Sequence, residues 1–462
     1  MSTPAPDRSV RAASWAVAAV FTLSGVNFAS WASRMPAIRD GLGFSPDRMG
    51  LLLLVASVGS LLSLPLSGIV VERLGARRTV MTFAVVNALG FMLSSVGVQQ
   101  RLVPLVVAGL VLVGVGAGVW DASMNLEGAL VEQRLGRTVM PRYHAGFSFG
   151  TMAAAAVAAV AAEADVPVVA HLPAVMVVST VLVAVAVRRF LPTGHADHLL
   201  HPEPPTDAVP DAEVAGPTAG SRAATAVVEH HVDLAADPAV STPRGARGAL
   251  AAWAEPRTLL VGLVVLAAAL TEGAANDWAS LSVVDGFRTS HAVGALAFGI
   301  FVTAMTAMRM FGTPLLDRFG RVAVLRLCAG LALVGLAVFG LVGPLWLAMV
   351  GIVAWGMGAA LGFPVGMSAA ADDPRRAPAR VSVVSTIGYS AFLGGPPLLG
   401  LLAQHVGYRH ALLAILVPVA LSLAVMGAAA PLHRDRAQRD GTQRDRAQRD
   451  QAQRGQAQRD RA

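Results

Sequence analysis

Residues 68–78 read Gly68-Ile69-Val70-Val71-Glu72-Arg73-Leu74-Gly75-Ala76-Arg77-Arg78, at the end of an apolar run. A second apolar run ends in Asp317-Arg318-Phe319-Gly320-Arg321, with Asp317 standing 245 residues after Glu72. A short, charged, Gly-containing loop of this kind reverses a chain tightly. Its carboxylate is suited to a neighbouring helix N-terminus, where the dipole favours negative charge by about 0.3–1 kcal/mol. Its Arg residues are suited to pairing across one surface. Two other matches keep nearly the same spacing. Trp31-Ala32-Ser33 returns as Trp278-Ala279-Ser280, 247 residues on, and Gly114-Val115-Gly116-Ala117 as Gly356-Met357-Gly358-Ala359, 242 on. The order and offset of the three pairs indicate a duplicated chain with parallel halves, related by an axis along a membrane normal.

The chain has 462 residues, 55% of them hydrophobic and only 14% charged, and its mean hydropathy is +0.59. Soluble domains carry about 25% charged residues. The composition excludes a soluble globule, a disordered chain, a disulfide scaffold and a fibre. Cys328 is the single cysteine, so there is no intrachain disulfide and no Cys-based metal site. Twelve apolar segments fall at about 13–33, 48–71, 79–98, 102–125, 143–163, 167–187, 258–283, 292–316, 322–342, 345–370, 380–404 and 408–430. Each is long enough to cross a hydrocarbon core of about 30 Å. Their runs do not alternate as barrel strands do. The fold class is therefore an all-α membrane protein, with 12 transmembrane helices in two pseudo-symmetric six-helix bundles. The first segment precedes Ala29-Ser30-Trp31, small residues like those of a cleavage site, but it has a counterpart at span 7 and reads as a span.

All 36 basic residues are Arg. Placing both termini in the cytoplasm puts 29 of them on that side and six outside, leaving Arg309 within a span. The net charge of +7 is thus a topology signal and not a nucleic-acid footprint. The domains are expected at 1–189 for the first bundle, 190–256 for a cytoplasmic linker, 257–431 for the second bundle and 432–462 for a tail. The linker, rich in Pro, Ala, Asp and His, reads as flexible. Its His195, His198 and His201 are read as solvated, so no metal is expected. The tail repeats Arg-Asp-Arg-Ala-Gln-Arg-Asp with period ten and reads as a disordered expansion, with weak attraction to anionic lipid as the alternative.

The stretch Gly68-x-x-x-Glu72-Arg73-x-Gly75-x-Arg77-Arg78 resembles the signature loop of the major facilitator superfamily, with Glu72 where Asp is usual. The second copy has Thr313 in place of the leading Gly. Within that superfamily, Asn27-Phe28-Ala29-Ser30-Trp31-Ala32-Ser33-Arg34-Met35-Pro36, Trp120-Asp121-Ala122-Ser123-Met124-Asn125-Leu126-Glu127-Gly128, Met140-Pro141-Arg142-Tyr143-His144 and Gly394-Gly395-Pro396-Pro397-Leu398-Leu399-Gly400 look like the YbjJ-type bacterial inner-membrane proteins, near the fucose–proton symporter group. The resemblance implies a bacterial cytoplasmic membrane, a rocker-switch transporter, and a central cavity lined by spans 1, 4, 7 and 10. Gly68, Glu72, Arg73, Gly75, Arg77 and Arg78, with Asp317, Arg318, Gly320 and Arg321, would form a cytoplasmic gate that biases one conformation.

Polar groups inside a bilayer cost about 2.5–3.5 kcal/mol each for a central Asp or Arg, so they mark a polar lumen or a paired network. Span 1 carries Ser24, Asn27 and Trp31 on one face. Span 4 carries Asp121 and Asn125, and span 7 carries Glu272 and Asn276, with Asp277 and Trp278 beyond. Span 10 offers Trp355 and span 11 Tyr389. These residues are read as cavity lining, with interhelical hydrogen bonding as the alternative. Asp121 and Glu272 are the titrating candidates for proton coupling. The fucose symporter uses acidic groups in spans 1 and 4, and here span 1 has Asn27, so only Asp121 keeps that role. His144, near Glu127, is read as an interfacial gating contact or a proton relay. Arg309 lies about 12 Å inside span 8. Its readings are snorkelling, a salt bridge to Asp121 or Glu272, or a site for an anionic substrate group. Gly394-Gly395-Pro396-Pro397 is expected to break span 11 and offer a bend.

The functional expectation is secondary active transport of a small solute, without any cofactor. Without Lys there is no ATP-binding loop of the Walker type. Proton-coupled uptake of a polar compound such as a sugar competes with export of an amphipathic compound. The polar stripes favour uptake; Met305, Met308 and Met310 favour export. A membrane enzyme using Asp121, Glu127 and His144, and a transport-inactive sensor or scaffold, are the remaining alternatives. The expected partners are the small-molecule substrate, protons and the lipid bilayer, around a monomer.

Overall fold

The structure is a computed structural model that describes residues 8–135, 139–191, 252–373 and 376–431. The tail, most of the linker and its three His residues lie outside the described residues. Twelve helices long and apolar enough to cross a membrane are present among the described residues. They are span 1 (Arg8–Ala32), span 2 (Pro46–Leu74), span 3 (Ala76–Gln99), span 4 (Val103–Leu135), span 5 (Met140–Glu163) and span 6 (Val168–Ala186). The second set is span 7 (Pro256–Phe287), span 8 (His291–Phe319), span 9 (Arg321–Leu341), span 10 (Leu345–Ala370), span 11 (Ala377–Val406) and span 12 (Tyr408–Ala429). A short helix, Met35–Leu42, joins spans 1 and 2.

The repeated glycine of the two charged loops has a backbone reason. Gly75 (φ 75°, ψ 153°) and Gly320 (φ 78°, ψ 163°) adopt a conformation essentially restricted to glycine. Each ends one helix and starts the next. The Gly75 N–H donates to Val71 O at 2.8 Å while its carbonyl accepts from Thr79 N at 3.1 Å; Gly320 repeats this with Leu316 O and Val324 N. Gly407 repeats it once more between spans 11 and 12 (φ 79°, ψ 157°), a third copy that the charged-loop pattern does not reveal.

Lipid gives helices no hydrophobic reason to associate, so close backbone packing must hold the bundle. Spans 1 and 5 cross where a Cβ on Gly25 would lie 2.1 Å from Phe147 O and one on Gly150 2.0 Å from Thr22 O. The duplication is visible in the same terms. A Cβ on Gly90 of span 3 would lie 2.6 Å from Gly109 O of span 4, and one on Gly335 of span 9 would lie 2.6 Å from Gly351 O of span 10.

The expectation of a break in span 11 is corrected. Span 11 runs as one helix through Pro396 and Pro397. Span 10 is the interrupted one, divided into Leu345–Ala359 and Gly362–Ala370. Membrane helices tolerate interior Pro where neighbouring helices and local adjustment re-satisfy the freed backbone groups. In span 10, Gly362 and Pro364 follow the interruption directly.

Replacing Gly75 with Ala is expected to cost about 1–3 kcal/mol, because the residue would be forced into a glycine-only conformation. Gly68→Ala is the control: its Cβ would meet nothing within 4 Å, and Ala is the better helix former. Thermal unfolding in detergent should show a clear loss for the first and none for the second.

Candidate functional site

The site is built around Arg309, in the second half of span 8. Its Nη2 donates to Glu272 Oε2 of span 7 at 2.9 Å, and its Nε donates to Ala360 O at the interruption of span 10 at 3.1 Å. The Glu272 side chain is 5% exposed and that of Arg309 26%. Ala360 O is free to accept because the residue four positions on is Pro364, which has no N–H to return the helical bond. Trp355 closes the triangle between spans 7, 8 and 10: its Nε1 donates to Thr271 O at 3.1 Å and its ring meets Phe301 edge-on at 5.3 Å. Of the readings open for Arg309, the geometry selects the bridge to Glu272.

The other expected lining residues divide into two groups. Asn27, Trp31 and Trp355 are buried and packed between helices, which corrects their reading as cavity walls. Asn27, 2% exposed, donates to Asn87 Oδ1 at 3.3 Å, and Asn87 in turn donates to Val113 O. Trp31 lies 5.6 Å from the Phe91 ring. In both cases the polar or aromatic face of span 1 turns into span 3. Asn125 is also buried and donates to Asp121, to its carbonyl at 2.9 Å and to Oδ2 at 3.3 Å. Asp121, Asn276, Tyr389 and His144 are half-buried. Tyr389 lies between Phe363 and Phe392, and His144 meets Phe21 edge-on at 5.0 Å.

The signature loops behave differently from expectation. Glu72, Arg73, Arg77 and Arg78 are exposed and form no ion pair among the described residues, and Asp317 and Arg318 are exposed as well. The carboxylate at a helix N-terminus is Glu132 instead, accepting from Val139 N at 2.6 Å and Met140 N at 2.7 Å at the start of span 5. Arg321 does pair, but inside its own half. It holds Asp372 Oδ1 at 2.9 Å, and Arg257 holds Asp372 Oδ2 at 2.8 Å. Asp372 stands 245 residues after Glu127, the offset of the loops themselves. Glu127 is buried and accepts from Leu191 N at 2.8 Å, so both acids tie down the end of their bundle. On the Asp372 side, Glu255 accepts from Arg376, Arg380 and Thr258. The Arg380 hydrogen bond, the largest influence, holds the Glu255 carboxyl below its ordinary pKa.

These loops, and the ends of both bundles, lie on the face where span 1 begins and span 12 ends, the termini face. The far face is shut by contacts between the halves. Arg39 of the short helix pairs with Asp285 of span 7 and lies over the Tyr408 ring, and Asp40 meets His291 Nε2 of span 8 at 2.9 Å. Burial works against the Arg39 charge, but hydrogen bonds to Asp285 and Asp40 outweigh it and raise its pKa. Below this latch the two backbones touch. A Cβ on Gly50 of span 2 would lie 2.5 Å from Pro396 O of span 11, and one on Gly400 would lie 2.6 Å from Pro46 O.

The family model for the Major Facilitator Superfamily matches residues 16–271 and 261–458. The chain is 30% identical over 415 residues to the protein named uncharacterized transporter y4wD of Sinorhizobium fredii, covering 87% of this chain and 97% of that one. Among solved structures it is similar to the nucleoside transporter NupG, with a TM-score of 0.67 and 14% identity, over 90% of this chain and 98% of that one. It is also similar to the E. coli fucose:proton symporter FucP, with a TM-score of 0.55 and 13% identity, over 92% and 100%. The chain belongs to the major facilitator superfamily. It is a multi-pass membrane transporter with that superfamily's fold, and these relatives leave no place for the enzyme reading.

Removing one partner of the buried pair leaves an uncompensated charge, a loss of about 3–5 kcal/mol. Glu272→Gln and Arg309→Met are each expected to lower thermal stability strongly, and the double variant to lose less than the two losses added. Glu255 gives a pH-dependent contribution. Its folded pKa is depressed, so its stabilisation is complete above the unfolded value of about 4.3 and is lost as pH falls through the lower folded value. Arg380→Gln should flatten the acid limb of the stability profile.

Proposed function

We propose that this chain is a secondary active transporter working by alternating access, in a state closed at the far face and open toward the termini. The carrying observation is the asymmetry between the faces. Arg39–Asp285, Asp40–His291 and the Gly50–Pro396 contact join the halves on one side, while the gate motif Gly68, Glu72, Arg73, Gly75, Arg77, Arg78 and its copy Asp317, Arg318, Gly320 stand disengaged on the other. In the opposite state the loops would engage and the latch would part. The Arg distribution supports a cytoplasmic termini face, the similarity to bacterial transporters supports a bacterial inner membrane, and on that reading the state is inward-open. The domains follow as residues 1–189 and 257–431, joined by the cytoplasmic linker 190–256 and followed by the tail 432–462.

The solute binds between the halves near the midplane. A small polar compound such as a sugar fits the half-buried Asp121, Asn276 and Tyr389, with Asn125 and Glu272 behind them. Asp121, Glu272 and His144 are the proton-coupling candidates. A coupling role for Glu272 requires that protonation release Arg309, freeing a cation for substrate. The similarity to a fucose:proton symporter and to a nucleoside transporter is consistent with a polar hydroxylated solute and with symport. Export of an amphipathic compound is weakened, because Met305 and Met308 are buried in the second bundle and only Met310 is exposed. The working unit is a monomer in the bilayer.

Counterflow in proteoliposomes with a panel of sugars, nucleosides and amphipathic compounds, at two pH values, tests this reading. Substrate-dependent exchange with faster uptake at acid pH is expected. Absence of exchange across the panel would remove the transport claim, and uptake unchanged by pH and by an uncoupler would remove the proton. Gly50→Leu pushes span 2 off Pro396 and should shift the protein away from the inward-open state. Cysteines placed across the cytoplasmic loops, in a background lacking Cys328, should then crosslink more readily.

A further inference from the structure

Span 7 carries a second intramembrane carboxylate, which the arrangement around Arg309 leaves out. Asp277 lies one and a half turns, about 7.5 Å, beyond Glu272 and about 12 Å short of Asp285 in the far-face latch. The other carboxylates carried deep in spans 4 and 7 are answered: Asp121 by Asn125, Glu127 by Leu191 N and Glu272 by Arg309. Asp277 forms no hydrogen bond or ion pair among the described residues, and no neighbouring charge acts on it. It sits within the body of the protein, yet it is half-buried and its unpartnered oxygens keep accessible surface. That surface belongs to an internal space and not to lipid.

The helix face says which space. A Cβ on Gly395 of span 11 would lie 2.9 Å from the Leu270 side chain, and one on Gly273 would lie 3.0 Å from the Phe392 ring. Asp277 continues that face outward by one turn. Pro396, the neighbour of Gly395, is the residue whose carbonyl meets Gly50 of span 2. Asp277 therefore stands just inside the seal between the halves. The charged and titratable groups that the surrounding elements turn toward span 7 are engaged elsewhere. Arg309 holds Glu272 and Ala360 O, His291 meets Asp40, and Arg39 takes Asp285 and the Tyr408 ring. Arg409 donates to Gly340 O over the Phe287 ring, and Tyr389 lies between Phe363 and Phe392. By the 247-residue offset of the Trp-Ala-Ser repeat, Asp277 corresponds to Ser30, whose hydroxyl donates to Val26 O. The shared backbone plan thus does not require an acid at this position.

We propose that Asp277 is the carboxylate that carries the coupling proton, taking it from water on the far side and releasing it to water on the termini side. An ionised carboxylate with no counter-charge needs water around it. Closing the halves over Asp277 removes the water of the far side, so closure follows protonation. Glu272 carries its own counter-charge and needs no proton to be enclosed. The step is proton binding alone: an O–H bond forms on Asp277 and later breaks to water, with nothing oxidised or reduced. The assignment rests on the alternating-access reading and names the coupling site within it.

The test reads the far face directly and needs no substrate. Spin labels on Arg48→Cys of span 2 and His405→Cys of span 11, both exposed, report the separation of the halves in the full-length protein. The protein lacks Cys328 and is held in lipid nanodiscs, with pulsed EPR recorded from mildly acid to mildly alkaline pH. The ratio of closed to open far face should rise as pH falls, by up to about tenfold per pH unit, the limit for one proton. Asp277→Asn should stay closed and lose the pH response, while Asp277→Glu should keep it. Asp121→Asn and His291→Gln should keep it too. Should Asp277→Asn fail to fold, Asp277→Ser, which places the residue of the first half there, carries the same expectation. A response that persists in the neutral variants, or that is lost in Asp121→Asn or His291→Gln, overturns the assignment and leaves alternating access standing. One distance at every pH in the unsubstituted site overturns both. Replacing sodium with choline should leave the ratio unchanged; a sodium requirement overturns the proton as the coupling ion.

Discussion

A guanidinium about 12 Å inside a membrane span must be answered from within the protein, because lipid offers nothing to it. In this structure Glu272 supplies the charge and Ala360 supplies a carbonyl. That single requirement fixes how spans 7, 8 and 10 sit together. It also explains the interruption of span 10: Pro364 removes one helical bond, and the carbonyl it frees goes to Arg309. The charge, the broken helix and the Trp355–Thr271 contact are one arrangement and not three. In the first half the polar contacts described are of another kind. There Asp121 is held by Asn125 and the interior is tied by the Asn27–Asn87 bond. The two bundles share a backbone plan but differ in the polar contacts that tie their helices together.

The far face adds a different kind of constraint. Arg39–Asp285 is an ion pair and Asp40–His291 a hydrogen-bonded contact, both partly exposed and each worth little alone. The contacts beneath them are backbone against backbone at Gly50, Pro396 and Gly400. These are sensitive to shape and not to salt. A seal made of both kinds can open under a modest driving force and still exclude solute when shut.

Much of this was legible in the sequence because a bilayer is a demanding solvent. It leaves few ways to place a charge, so Arg309 could be assigned a short set of partners that included Glu272. It enforces span lengths, so the twelve helices and their duplication followed from apolar runs and offsets. What the sequence did not disclose concerns neighbours. Helical spacing showed that Asn27 and Trp31 share a face, but not that span 3 covers that face with Asn87 and Phe91. The Pro364 break has a readable signal, a proline after a glycine inside an apolar run, but the Gly-Gly-Pro-Pro of span 11 is the stronger breaker pattern by composition. Asp372 was hidden by its place just past a span end, where a carboxylate reads as ordinary solvated loop.

The one-residue turns at Gly75, Gly320 and Gly407 leave almost no chain between the helices they join. Spans 2 and 3, 8 and 9, and 11 and 12 are thereby hinged pairs with no slack, and neither member can slide along its axis without dragging the other. Rearrangement of this molecule must then be carried by tilting of whole pairs or by bending inside a helix. The interrupted span 10 is the place where such bending meets least resistance, the spring of a stiff frame.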